Sequence, residues 1–117
     1  MKAECEAAGS LKEPEIEYYD VYSLTVNDEE LTVKVRAAFD EVFGEESIDI
    51  TLQSASEDFS YVPDEVDVPY VYWAFGGFAD QESAPGNHNP AFAPDLQPTL
   101  DRGAQAAIAA AGAWLAK

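Results

Sequence analysis

The sequence is poor in cysteine, and it contains no long apolar run. Cys5 is the single cysteine among 117 residues, so the chain can form no internal disulfide and has no Cys-x-x-Cys pair for zinc or redox chemistry. Residues 1–20 lack the positive start and apolar run of a secretory signal. The longest apolar stretch, Ala104–Ala116, is interrupted by Gln105 and Gly112 and is shorter than the ~20 residues of a membrane-spanning helix. We therefore expect a cytoplasmic protein without a membrane partner.

Basic residues are also scarce. Six Lys and Arg stand against 23 Asp and Glu, which gives a formal net charge of −17. Such a charge repels phosphate backbones and anionic lipid surfaces, so nucleic-acid binding is disfavoured. A solvated acidic surface explains most of the carboxylates, and a dedicated cation site is the less favoured alternative.

Three segments have the patterns of helices, and the length of the chain suits one domain. Residues 1–8 favour helix by composition and are followed by Gly9. A second helix is predicted from a cap at Asn27 or Asp28 to a stop at Gly44. A last helix is predicted from an apolar stripe of mostly small residues, which suits packing against a sheet: Leu100, Ala104, Ala107, Ile108, Ala111 and Leu115.

Three further segments have the patterns of strands. Residues 14–21 and 47–53 alternate apolar with polar side chains, and residues 68–75 form a nearly continuous β-branched and aromatic run. Between the last two, Ser54 and Ser56 suggest a short helix or turn that closes at Pro63. Alternating strands and covering helices predict an α/β fold. Two or three strands make a thin sheet with exposed edges, so part of the sheet is expected to be missing.

His88, the only histidine, lies in the irregular stretch between Gly76 and Pro98. Open α/β sheets bind ligands in loops at the carboxyl ends of their strands, so the position suits a metal ligand or a catalytic base. Taken alone, the residues favour an ordinary loop histidine, because its neighbours Asn87 and Asn89 are good turn formers. Both interpretations stay open at this point.

Glu57 and Asp58 are the next candidates. Either carboxylate could act as a general base or a ligand, although adjacent acids near a helix start more often cap free N–H groups. Other catalytic patterns are weak: no phosphate-binding glycine motif surrounds Gly76 and Gly77, and no serine lies in a nucleophile elbow.

Four separated stretches occur in a familiar order: TVNDEEL, SASEDFSYV, PYVYWAFGG and GNHNPAFAPD. Together they resemble the C-terminal end of the zinc-dependent amidohydrolases that include hippurate hydrolase, N-acyl-amino-acid amidohydrolases and indole-acetyl-amino-acid hydrolases. The resemblance spans nearly the whole chain. It implies hydrolysis of the amide bond of N-acyl amino acids or small peptides.

The resemblance also implies a fold and a domain layout. Residues 25–117 would form the C-terminal third of a three-layer αβα catalytic domain, and residues 1–24 would be a helix-strand remnant of an α+β lid that carries the dimer contact. His88 of HNPAF matches the family histidine that binds one of two divalent ions, zinc or alternatively manganese, cobalt or nickel. Glu57, Asp58, Asn87 and Asn89 would support the site loop.

The other metal ligands and the glutamate general base of the family have no match in these residues. The resemblance therefore implies that the remainder of the same polypeptide supplies them, that the complete enzyme is a homodimer, and that these 117 residues alone are inactive. The alternative is a complete small acidic interaction domain in which His88 binds no metal.

Overall fold

The computed structural model describes residues 1–115, which contain four α-helices and one short 3-10 turn. The backbone between these elements is irregular or extended. The elements are α1 (Lys2–Ala7), α2 (Glu29–Phe43), the 3-10 turn (Gly44–Glu46), α3 (Tyr61–Glu65) and α4 (Leu96–Leu115).

Helix α2 begins and ends as its sequence predicts. The Asp28 carboxylate accepts a hydrogen bond of 2.9 Å from the backbone N–H of Leu31, which satisfies one of the free donors of the first turn. Glu29 and Glu30 follow at the positive end of the helix dipole. Gly44 ends the helix with φ +57°, a conformation that costs glycine little. The prediction for this helix is confirmed.

The predicted α/β fold is wrong for the described residues, because no strand forms between residues 1 and 115. Residues 14–21, 47–53 and 68–75 lack the ladder of backbone hydrogen bonds that a sheet requires. Alternation indicates a half-buried strand only where a core covers one face, and here Ile48, Ile50 and Leu52 are exposed. The three-layer domain and the strand remnant of a lid are therefore not observed.

The short helix lies later than predicted. It does not start near Ser54 or Ser56 and close at Pro63; instead α3 begins after Ser60 and contains Pro63 in its first turn. Proline is tolerated there because the N–H groups of a first turn have no partner within the helix. Pro63, which the sequence predicts to end the short helix, therefore lies in the first turn of α3.

Helices α2 and α4 pack against each other and contain most of the buried apolar side chains. Val35, Ala106 and Ala110 are each less than a tenth exposed. Arg102 of α4 pairs with Glu46 at 2.7 Å and lies 5.6 Å from the ring centroid of Phe43. The small residues of α4 thus cover a helix rather than the predicted sheet. Gln97 has extended dihedral angles, so the helix axis breaks near its start.

The described chain is elongated. Its radius of gyration is 20.4 Å, with principal extents of 68 × 38 × 20 Å, whereas a compact domain of this length has a radius of gyration of about 13 Å. Many large apolar side chains, among them Tyr18, Leu24 and Leu52, stay exposed. Within residues 1–115, none of the helices is long and apolar enough to cross a bilayer. Few apolar side chains of the described residues are therefore buried.

We predict that Val35→Ala destabilises the packing of α2 on α4 by about 2 kcal/mol, because two buried methyl groups are lost and a cavity remains. Val33→Ala is the matched control, since Val33 lies on the same helix but is 69% exposed and should change stability by less than about 0.5 kcal/mol. Urea unfolding followed by far-UV circular dichroism measures both. Equal effects of the two substitutions would contradict the packing described here.

Candidate functional site

Three aromatic rings from two separate segments form one cluster. The ring centroid of Phe59 lies 5.5 Å from that of Tyr70, edge to face, and 4.8 Å from that of Tyr72. We call these three residues the aromatic cluster. Such arrangements are favourable beyond the apolar area that they bury, so they hold the segment before α3 against residues 70–72.

The start of α2 is bound to the same segment by backbone and side-chain hydrogen bonds. The Asn27 amide donates to the Tyr72 carbonyl at 2.9 Å and accepts from the Tyr72 N–H at 2.7 Å; we call this pair the Asn27 bridge. The Asp28 N–H donates to the Tyr70 carbonyl at 2.9 Å, and the Val26 N–H donates to the Tyr70 hydroxyl at 2.9 Å. These contacts fix residues 26–28 beside the aromatic cluster.

Glu57 lies at the edge of the aromatic cluster and is held at both carboxylate oxygens. The Tyr72 hydroxyl donates to Oε2 at 3.0 Å, and the N–H groups of Asp58 and Phe59 donate to Oε1 at 3.2 and 3.3 Å. The Tyr72 hydrogen bond is the main reason that the pKa of Glu57 is lowered, and the same bond raises the pKa of Tyr72. The sequence placed Glu57 at a helix start, but α3 begins only at Tyr61.

His88 lies in a tight turn with a left-handed backbone, φ +65°. The Asn89 side chain accepts a hydrogen bond from the Ala91 N–H at 2.8 Å, and its backbone N–H donates to the Gly86 carbonyl at 3.2 Å. Asparagine commonly forms turns of this kind. The imidazole is exposed, so the turn presents it to solvent.

Asp95 closes the base of the loop that carries His88. Its N–H donates to the Gly77 carbonyl at 2.8 Å, and its carboxylate accepts from the Ala79 N–H at 2.9 Å. Phe78 and Phe92 pack edge to face with centroids 5.4 Å apart. A side chain at position 77 would approach Pro94 to 3.1 Å, so glycine allows this closure. These contacts fix the shape of the loop that carries His88.

The described residues do not form a complete metal centre by themselves. In the part of the chain that the structure describes, no three His, Cys, Asp or Glu side chains come close enough to share one ion. Glu57 and Asp58 therefore do not join His88 in a ligand set. A catalytic zinc ion takes about three protein ligands, and one imidazole does not provide them.

Sequence reasoning missed Asn27 and Tyr72 as site residues. Asn27 was considered only as a helix cap, and Tyr72 only as part of a buried strand. The period of two in the segment from Pro69 to Trp73 was the available signal, because it places Tyr70 and Tyr72 on one face. No local pattern could indicate that the side-chain amide of Asn27, 45 residues earlier, would bind the backbone of Tyr72.

A model of a known protein family matches most of the chain. The model of "Peptidase family M20/M25/M40" matches residues 8–111. The match covers nearly all of the chain, including α2, the aromatic cluster, the His88 loop and most of α4.

We predict that Tyr72→Phe raises the pKa of Glu57 towards its ordinary range, because the hydroxyl that stabilises the carboxylate is lost. Since the folded-state pKa is lowered, the stabilisation is complete above the ordinary glutamate pKa and is lost as the pH falls through the lowered value. Titration of the glutamate carboxyl carbons by NMR measures this shift.

Tyr61→Phe is the control for that titration. The Tyr61 hydroxyl donates to the Val21 carbonyl and does not contact Glu57, so the pKa of Glu57 should stay where it is. An unchanged Glu57 titration in Tyr72→Phe would show that the Tyr72 hydroxyl does not control the carboxylate.

Proposed function

Because the chain belongs to peptidase family M20/M25/M40, we propose that it is part of a metal-dependent amidohydrolase that cleaves the amide bond of N-acyl amino acids or small peptides. The family match over residues 8–111 carries this proposal. It indicates a metallopeptidase-type hydrolase, and enzymes of this family generally use divalent metals, typically zinc. The substrate class rests on the resemblance of the SEDF and HNPAF stretches to the acyl-amino-acid hydrolases.

His88 is the residue that we assign to the metal. The geometry of its loop supports the assignment, since a left-handed turn closed by Asn89 and Asp95 holds an exposed imidazole. Imidazole is the commonest metal ligand among side chains and suits zinc and nickel; manganese and cobalt are the other divalent ions that we consider. The complete site would hold two ions, and the remainder of the same polypeptide would supply the other ligands.

Glu57 is assigned a supporting part rather than that of general base. A general base works best when its pKa lies near the operating pH, whereas the hydrogen bond from Tyr72 lowers the pKa of Glu57. Asp58 follows it and is exposed. Asn87 and Asn89 flank His88, and the hydrogen bonds of Asn89 shape the turn. These residues would orient the loops around the substrate.

The organisation of the complete enzyme is part of the same proposal. Residues 1–24 would end the lid that carries the dimer contact, and residues 25–117 would belong to the catalytic domain. The enzyme would be a cytoplasmic homodimer without nucleic-acid or membrane partners. The acidic composition supports the last point, because a net charge of −17 repels polyanions.

We expect no hydrolysis of N-acyl amino acids by the 117-residue chain, even with added zinc or manganese. One imidazole cannot hold a catalytic ion in the required geometry. A colorimetric assay of amino-acid release checks this, with a commercial acylase as the positive control. Metal-dependent turnover by the isolated chain would contradict the expectation.

In the complete polypeptide, His88→Asn should lower metal affinity by about 100-fold or more, because a ligand is lost. Even the loss of a residue that only hydrogen-bonds a ligand typically lowers metal affinity by about 10–100-fold. Asparagine tolerates the left-handed backbone that His88 adopts, so the substitution removes the imidazole without straining the turn. Metal content by mass spectrometry and hydrolysis rates measure the effect.

Asp67→Asn is the matched control for that substitution. Asp67 also has a positive φ, +51°, and lies outside the His88 loop, so metal content and hydrolysis should stay unchanged. If His88→Asn retained both ions and full activity, the assignment of His88 to the metal would be wrong.

A further inference from the structure

The Glu57 carboxylate is an anion without a cationic partner in the described chain. The ion pairs among residues 1–115 involve other acids, namely Glu4, Glu13, Asp40, Glu46 and Asp49. Glu57 instead accepts hydrogen bonds from neutral donors: one tyrosine hydroxyl and two backbone N–H groups. Its negative charge is therefore fixed in position and not neutralised.

The surrounding sequence contains no cation that could take this place. No Lys or Arg occurs between Arg36 and Arg102, while the same stretch carries 14 Asp and Glu. Arg36 is bound to Asp40 and Asp49, and Arg102 to Glu46. The potential around Glu57 thus favours a cation from outside the chain.

The aromatic cluster lies beside this carboxylate and leaves ring surface exposed. Phe59 is 38% exposed and Tyr72 is 43% exposed. The Tyr72 hydroxyl that holds Glu57 belongs to a ring that is packed against Phe59. Rings of this kind attract cations at their faces, most strongly when a cation also exchanges its water shell for apolar contact.

From this juxtaposition we propose that Glu57 and the aromatic cluster bind a small alkylammonium ion. The carboxylate supplies the opposite charge, and the rings of Phe59 and Tyr72 contact the methyl or methylene groups next to the nitrogen. An inorganic cation fits less well, because hard ions require several oxygen ligands at once, and both Glu57 oxygens already accept hydrogen bonds. The site goes beyond the proposed hydrolysis, in which Glu57 has only a supporting part, since binding of the ion requires neither His88 nor a metal.

Titration of the chain with tetramethylammonium chloride, followed by NMR of the aromatic side chains at constant ionic strength, tests the proposal. We expect saturable shifts at Phe59 and Tyr72 with a dissociation constant in the millimolar range, the order expected for an exposed cation–π contact assisted by one carboxylate. tert-Butanol, a neutral molecule of similar shape, should cause no saturable shift at the same concentrations. n-Butylammonium should bind at the same resonances.

Two substitutions separate the charge from the rings. Glu57→Gln keeps the size of the side chain and one of its two acceptor oxygens, removes the charge, and should weaken tetramethylammonium binding at least about fivefold. Phe59→Leu should weaken it at least about threefold. Phe92→Leu is the matched control, because Phe92 is 41% exposed and packs edge to face with another ring, yet lies outside the cluster. It should leave the affinity unchanged.

Three results would overturn the proposal. The first is the absence of saturable shifts at Phe59 and Tyr72 in the unsubstituted chain. The second is undiminished binding in Glu57→Gln when circular dichroism shows that this variant is folded. The third is complete competition by calcium chloride at equal concentration, which would show a site for any cation at the acidic surface rather than one for alkylammonium ions.

Discussion

The Asn27 bridge is the contact on which most of the long-range order of the site depends. A side-chain amide has one donor group and one acceptor, as a peptide unit does, and here it satisfies the N–H and the C=O of a single residue, Tyr72. The extended segment thereby gains one rung of the hydrogen bonding that a neighbouring strand would provide. Because Asp28 caps α2 next in sequence, the helix, the aromatic cluster and Glu57 share one anchor point.

The second source of order is the packing of α2 on α4, and the two sources have different physical characters. The helix pair buries apolar side chains, of which two are alanines, so it allows close approach but removes little apolar surface from water. The site around Asn27 uses hydrogen bonds and ring contacts that stay largely exposed to solvent. The net contribution of each such hydrogen bond to the free energy of unfolding is only about 1 kcal/mol. An elongated chain with exposed apolar residues is the result.

Local signals predicted helices α1, α2 and α4 correctly and failed for the three strands and for the bounds of α3. Asp28 and Gly44 act on backbone groups within a few residues of themselves, so their effects can be inferred from the sequence. The alternation at Ile48, Ile50 and Leu52 indicates only that this segment would suit a half-buried strand. Whether a neighbouring strand pairs with it is a non-local fact, and in the described residues none does. Pro63 was misplaced because the same residue suits both a stop and a first turn.

The candidate site, too, could be predicted from the sequence only where its contacts are local. The turn at Asn87 to Asn89 follows from local turn chemistry, and the structure places the exposed His88 imidazole there. The orientation of Glu57 depends on Tyr72, 15 residues further along, and the orientation of Tyr72 depends on Asn27, 45 residues back. Residue types indicated that these groups were suited to chemistry. Only the folded chain shows which of them meet.

The hydrogen bond from the Val26 N–H to the Tyr70 hydroxyl has a consequence for the timescale on which this backbone opens. An amide proton in a helix exchanges with solvent when the helix unwinds, but the proton of Val26 is covered by a side chain. Its exchange rate therefore reports the rotation of one phenol ring away from the backbone. The amides of residues 15–20 have no such cover, so exchange there should approach the rate of an unstructured peptide. One tyrosine thus sets the boundary between fast and slow exchange in the segment that leads into α2.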